Sequence, residues 1–269
     1  MNCKKTLIGL FILGLIKINI AFAASDLPKQ GDVITGSYQV ITDGLLGKSL
    51  LRAIPLPAGE WIVVNAWDRP SINNALAGNR VQPVSLREMV LAQVNKSNQL
   101  VAAIYFTTNV ESHAYKWDPN YCNDVNDTFI YSNKYGTDLW QQRCTNISAT
   151  GYLQSSTPGQ NKVRDFYNSK GVKFDSNAIK VQTSEYDHMG NILRLDLFYF
   201  PNTYGLENPS VGNATMSPWF KTNYKQDPKK VKFIDGLIKW ADDYSNLQNK
   251  YFSGSDKPVD KIDLYKFSH

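Results

Sequence analysis

Short apolar runs separated by turn-forming residues fill most of the chain between Val33 and Phe200. Val33 to Ile41 has the β-branched and aromatic content of a strand, and Thr42-Asp43-Gly44 supplies a turn after it. Ile54-Pro55-Leu56-Pro57-Ala58-Gly59-Glu60 lacks two backbone N–H groups, so it suits neither a central strand nor a helix. It delivers the chain into Trp61 to Trp67, which reads as a buried strand. Val84 to Val94 and Gln99 to Thr108 flank Asn95-Lys96-Ser97-Asn98, the pattern of a hairpin with a four-residue loop. Ser85 and Glu88 mimic a helix capping box in the first arm, but β-branched and aromatic residues crowd the second and favour the hairpin. Ala178 to Tyr186 and Ile192 to Phe200 flank Asp187-His188-Met189-Gly190-Asn191 as a second hairpin.

Helical periodicity appears late. Thr157-Pro158 offers a cap and a first-turn proline, Lys170-Gly171 a stop, and Val163, Phe166 and Tyr167 an apolar stripe between them. Ser217-Pro218 predicts a short helix. Asp227-Pro228 opens a longer one ending near Gly254, with Val231, Ile234, Ile238, Ala241, Tyr244 and Leu247 on one face. Strands in hairpins followed by helices give an α+β class, an antiparallel sheet covered on one face by helices from the C-terminal half. Without an internal repeat or low-complexity linker, residues 24–254 read as a single domain. The polar residues 255–269 read as a loosely attached tail.

The first 23 residues have the layout of a secretory signal peptide. Lys4 and Lys5 precede the uncharged run Thr6 to Ile16, and Ala21-Phe22-Ala23 offers a peptidase site. That run is too short to span a bilayer, and no later one approaches the needed length, so no stable membrane insertion is expected after cleavage. The expected location is outside the cytoplasm, periplasmic or secreted. Removing Lys4, Lys5 and Lys17 with the leader lowers the formal charge from +5 to +2, which leaves no footprint for nucleic acid. The densest basic cluster, Lys225, Lys229, Lys230 and Lys232, reads as the solvated face of a helix.

Cys122 and Cys144 remain in the mature chain, and an even count in an oxidising compartment predicts a disulfide. It would stabilise the fold by roughly 3 kcal/mol. The enclosed segment is polar and rich in turn pairs, among them Ser132-Asn133 and Tyr135-Gly136. The bridge therefore reads as a staple; no C-x-x-C spacing or neighbouring histidine suggests redox work.

Chemical signatures are sparse. Gly44-Leu45-Leu46-Gly47-Lys48-Ser49 resembles a phosphate loop, but Thr42 stands where its first glycine belongs. Of three histidines, His269 is C-terminal, His113 lies beside Glu111, and His188 follows Asp187 in a hairpin turn. His113 and His188 with Asp187 are the candidates for a catalytic group, if the fold brings them to a serine. No zinc spacing exists, and the oxygen-rich Asp118, Asn120, Asp124, Asn126 and Asp127 lack the EF-hand pattern, so neither a metal nor a cofactor is expected. Trp61 and Trp67 have the same parity and are expected to share one strand face, as core anchors or as an aromatic platform for sugars or a partner.

Ile54-Pro55-Leu56-Pro57-Ala58-Gly59-Glu60-Trp61, the Cys122 and Cys144 pair, Phe198-Tyr199-Phe200-Pro201-Asn202, Trp219, Asp227-Pro228 and Trp240-Ala241 span most of the mature chain. On these residues the chain resembles an uncharacterised family of exported proteins of Gram-negative bacteria. The resemblance implies export and carries over no site residue. The expected function is therefore a non-enzymatic cell-envelope protein that binds a partner protein, a glycan or another small ligand. The alternative is a hydrolase of an envelope polymer, working through carboxylates or a histidine that the fold brings together.

Overall fold

The computed structural model describes residues 27–43, 49–73, 82–110, 122, 129–138, 141–186, 191–209, 216–252 and 261–267. The leader, His113, Asp187, His188, the phosphate-loop-like glycines and the oxygen-rich loop all lie outside the described residues.

Ten strands and two α-helices form the described chain: β1 Val33–Ile34, β2 Ser37–Asp43, β3 Ser49–Pro55, β4 Trp61–Asn73, β5 Gln82–Val94, β6 Leu100–Asn109, β7 Phe129–Asp138, β8 Gln141–Gly151, α1 Pro158–Lys170, β9 Asn177–Tyr186, β10 Ile192–Tyr199 and α2 Pro228–Phe252. Eight strands make one sheet in the order β1-β4-β5-β6-β10-β9-β8-β7, and β2 and β3 pair separately. The large sheet is antiparallel throughout, with the run β4-β5-β6 joined to the run β7-β8-β9-β10 where β10 pairs β6.

Local chemistry sets many of these boundaries. The expected strand from Val33 to Ile41 breaks at Gly36, whose φ of 77° lets β1 and β2 diverge into different sheets. In the β5–β6 loop, Asn95 Oδ1 accepts from the N–H groups of Ser97 and Gln99. Pro55 ends β3. Pro70 sits in β4 beyond the two residues that β1 pairs, where no ladder bond is lost on that side. In α1 the Thr157 hydroxyl accepts from Gln160 N, and Gly171 closes the helix at φ 64°. Ser217-Pro218 does not start an α-helix; turns and bends follow, ending in a 3-10 turn at Tyr224–Gln226. Ser132-Asn133 and Tyr135-Gly136, expected as turns, lie inside β7: Ser132, Asn133 and Tyr135 pair with β8, and Gly136 stands at the register irregularity between Tyr135 and Thr137.

The helices do not cover one face. Alternate residues of the same strands divide into two buried clusters. Leu91, Ile104 and Leu197 meet Phe233, Ile234, Leu237 and Ala241 of α2, whereas Val90, Ala103 and Phe198 meet Val163, Phe166 and Tyr167 of α1. Strands β4, β5, β6 and β10 carry apolar residues on both sides, so both faces need a cover there, and the two helices supply one each. The hairpin β2–β3 joins α2 on its face through Tyr38, Val40 and Ile54. The buried stripe of α2 runs through Phe233, Ile234, Leu237, Ala241, Tyr244, Gln248 and Phe252; Val231, Ile238 and Leu247 flank it half-buried.

The tail is docked where it is described. Leu264 is buried in the α2-side core, Ala58 N donates to Ile262 O at 2.7 Å, and Trp240 Nε1 donates to Asp263 O at 2.8 Å. Tyr265 O–H donates to Phe233 O at 3.0 Å. Its apolar residues Ile262, Leu264, Tyr265 and Phe267 give it enough surface to bury against the α2-side core, despite the polar residues around them.

Candidate functional site

A pocket of about 480 Å³ opens on the α1 side of the sheet, within the usual size of small-ligand sites. Sheet residues Trp67, Glu88, Tyr105, Asp196 and Phe198 line one side; the loop after β8 and the first turns of α1 line the other.

Trp67 reaches this pocket because of a bulge. Val63 pairs Leu91 and Asn65 pairs Val90, so β4 carries one extra residue at Val64. One inserted residue reverses every later side chain. Trp61 accordingly lies in the α2-side core, buried, with its Nε1 donating to Pro57 O at 2.7 Å. Trp67 emerges on the α1 side, its ring centroid 6.3 Å from that of Tyr105 with 30° between the planes. The two tryptophans do not share a face.

Two buried carboxylates sit beside these rings, each with a cationic partner. Glu88 Oε1 lies 2.5 Å from Arg69 Nε, and the Glu88 charge acts on the Tyr105 phenol that lines the same pocket. Asp196 accepts from Gln182 Nε2 at 2.8 Å, with Arg194 at 3.3 Å and Lys180 at 3.8 Å. Burial raises the Tyr105 phenol to about 12, so it is neutral and can donate. Ionised carboxylates accept hydrogen bonds only.

The opposite wall is held in a conformation that an L-residue seldom adopts. Leu153 has φ 52°, and Arg164 clamps the turn by donating to Leu153 O at 2.7 Å and Ser155 O at 3.1 Å. Beneath it the buried hydroxyls of Tyr152 and Tyr167 bond at 2.7 Å, and burial drives both phenols upward. Gly159, in the first turn of α1, faces Trp67: a Cβ there would lie 3.9 Å from the indole ring.

Elsewhere the polar groups serve as joints. Arg87 grips Asp68 with two bonds of 2.9 Å and donates to the Tyr38 hydroxyl at 3.1 Å. Tyr131 and Tyr135 both donate to Asp242 of α2. Lys230 pairs Asp227 at 3.6 Å and lies over the Trp219 ring, while Lys225, Lys229 and Lys232 are exposed. Cys122 and Cys144 are bridged, with their Cα atoms 5.7 Å apart, which is compatible with export. Among the described residues no group of three or more His, Cys, Asp or Glu side chains is arranged to hold a metal ion. No helix among them is long and apolar enough to cross a membrane.

Among the described residues, Trp67 is the one candidate site residue from the sequence that lines this pocket. In the sequence Glu88 stands out only as part of a capping-box pattern, and Asp196 does not stand out, although each is an acid within a largely apolar strand. In Leu193-Arg194-Leu195-Asp196-Leu197-Phe198 the alternation already sets Arg194, Asp196 and Phe198 on one face. What the alternation does not supply is the partner strand that brings Asp196 beside Tyr105. No protein-family model, no curated protein and no solved structure matches the chain.

Proposed function

We propose that the protein is an exported, non-enzymatic binding protein of the cell envelope that holds a small ligand in the pocket between α1 and the sheet. The observation that carries this reading is the strained Leu153 turn, clamped by Arg164 over a pocket that has buried polar groups on its other wall. Strain of order 1–3 kcal/mol persists where surrounding structure enforces it, and such positions cluster at ligand sites. Supporting the exported setting are the bridged cysteines and the leader pattern of residues 1–23. The test is native mass spectrometry of the protein recovered from its own cells under gentle conditions. A co-purified small molecule, lost on Gly159→Leu, is the expected result; an empty protein with no ligand-dependent rise in melting temperature across a metabolite library would sink the reading.

A hydrolase acting through Glu88 and Asp196 is the second reading, favoured by one observation: the two acids line the same pocket. Asp196 is opposite Tyr105, and Tyr105 is opposite Val90, two residues from Glu88 on β5. The backbones are thus two strands apart, about 10 Å across the sheet. Against it stands the pairing of both acids with cations, because a general acid must carry a proton. Release of reducing ends from an envelope polysaccharide, abolished in Glu88→Gln and Asp196→Asn, would establish the hydrolase instead.

A further inference from the structure

The composition of the pocket walls restricts what can occupy them, and the geometry points to a neutral carbohydrate whose ring lies against Trp67 and whose hydroxyls donate to Glu88 and Asp196. This inference rests on the small-ligand reading above and names the ligand class. Three classes are excluded by balance of charge and polarity. An apolar ligand would bury two ionised carboxylates against a surface that offers them no hydrogen bond, which is costly. A cationic amine would enter a site whose two acids already hold Arg69, Arg194 and Lys180. An anion would meet Glu88 and Asp196 in the cavity lining and not Arg69, Arg194 or Lys180, which do not line it. A polyhydroxylated ring meets none of these objections.

It also matches the groups that are present. The C–H faces of a sugar ring are apolar and suit the flat surfaces of Trp67 and Tyr105, whose centroids are 6.3 Å apart. Its hydroxyls are donors and acceptors together, so they can serve carboxylate acceptors, the Tyr105 O–H donor and the Gln160 amide on the facing wall. The carboxylates are fixed by their ion pairs, and the rings are set by the β4 bulge and by α1. Little conformational freedom is left to be lost on binding.

The experiment titrates the purified exported chain by calorimetry, with tryptophan fluorescence in parallel. The probes are neutral di- to tetrasaccharides of glucose, galactose and N-acetylglucosamine, then hexylamine, inorganic phosphate and octanoate. The expected result is saturable binding of a neutral oligosaccharide, weakened about tenfold or more by Trp67→Ala and about tenfold by Glu88→Gln. Gly159→Leu, which fills the space before the indole without touching either acid, removes it; far-ultraviolet circular dichroism checks that each variant is folded. If hexylamine, phosphate or octanoate binds in a manner sensitive to Gly159→Leu while no sugar does, the carbohydrate assignment falls and the pocket reading survives. If no probe binds, the assignment and the small-ligand reading fall together. Sugar binding unaffected by Trp67→Ala and Gly159→Leu overturns the placement at this pocket.

Discussion

The Tyr244 hydroxyl donates to the Pro55 carbonyl at 2.7 Å, joining residues 189 positions apart and tying the middle of α2 to the end of the β2–β3 hairpin. Both groups are buried, and Pro55 ends its strand, so the bond also satisfies a carbonyl at the point where β-pairing stops. Tyr244→Phe keeps the ring, which stacks on Trp240, and removes only the bond. We expect a loss of about 1–3 kcal/mol in urea unfolding with an unchanged slope, because a buried acceptor is left without its donor. A loss below about 0.3 kcal/mol would mean that the hairpin is held by its apolar contacts alone.

The Arg87–Asp68 pair is asymmetric: the Arg87 side chain is 4 % exposed and that of Asp68 38 %. Asp68→Ala takes the carboxylate away from a buried guanidinium that keeps its bond to Tyr38, and the expected cost is about 2 kcal/mol, below the ~3–5 kcal/mol of a fully buried pair because water already reaches the acid. The double variant Arg87→Met, Asp68→Leu should lose less than Asp68→Ala. Chemical denaturation of the three proteins measures the order; a reversed order would show that Arg87 finds adequate solvation without Asp68.

Reducing Cys122–Cys144 releases a cross-link between residues 22 apart, and the expected loss is about 3 kcal/mol if unfolded-chain entropy dominates. Thermal melts with and without reductant, and of the Cys122→Ser, Cys144→Ser double variant, should shift together. A reduced protein that melts at the oxidised temperature would remove the bridge from the stabilising features.

Among the described residues eleven tyrosines, including Tyr105, Tyr152, Tyr199 and Tyr244, have phenols raised from the ordinary value of 10.0, desolvation being the leading cause in each. Above pH 10 the unfolded chain sheds phenol protons that the folded protein keeps, so the unfolded state binds fewer protons and stability falls as pH rises. The tyrosine contribution is fully present below about pH 10 and declines above it, for Tyr105 over the span from 10 to about 12. Urea midpoints measured from about pH 9 to about pH 11 should drop, with phenolate absorbance appearing in step with unfolding. Phenolate formation well before unfolding would show that these hydroxyls are open to solvent.

Gly171 closes α1 at φ 64° with no atom within 4 Å of a would-be Cβ. Gly171→Ala therefore tests backbone strain with no steric clash, and about 1 kcal/mol should be lost. A calorimetric melt reads the shift; no shift would indicate that the helix end relaxes to another cap.

Features set by neighbours in the chain were legible in the amino-acid sequence. Thr157-Pro158 and Lys170-Gly171 bound α1 because capping bonds and a left-handed residue act within one turn. Asn95 to Asn98 marked the β5–β6 reversal for the same reason, and the apolar content of β9 and β10 on either side of residues 187–191 announced two strands. Where the helices went was a matter of the tertiary structure. From the sequence both helices are expected on one face, and nothing local says that α1 takes one face and α2 the other. The docking of residues 261–267 depended on a groove beside α2 that exists only after folding. The candidate site depended most on tertiary structure. An extra residue at Val64 turned Trp67 away from Trp61, and the β10–β6 pairing carried Asp196 to Tyr105 from a distant stretch of chain. Parity along a strand is a local property, but it is counted from the ladder, and a bulge or a partner strand resets that count from outside the segment.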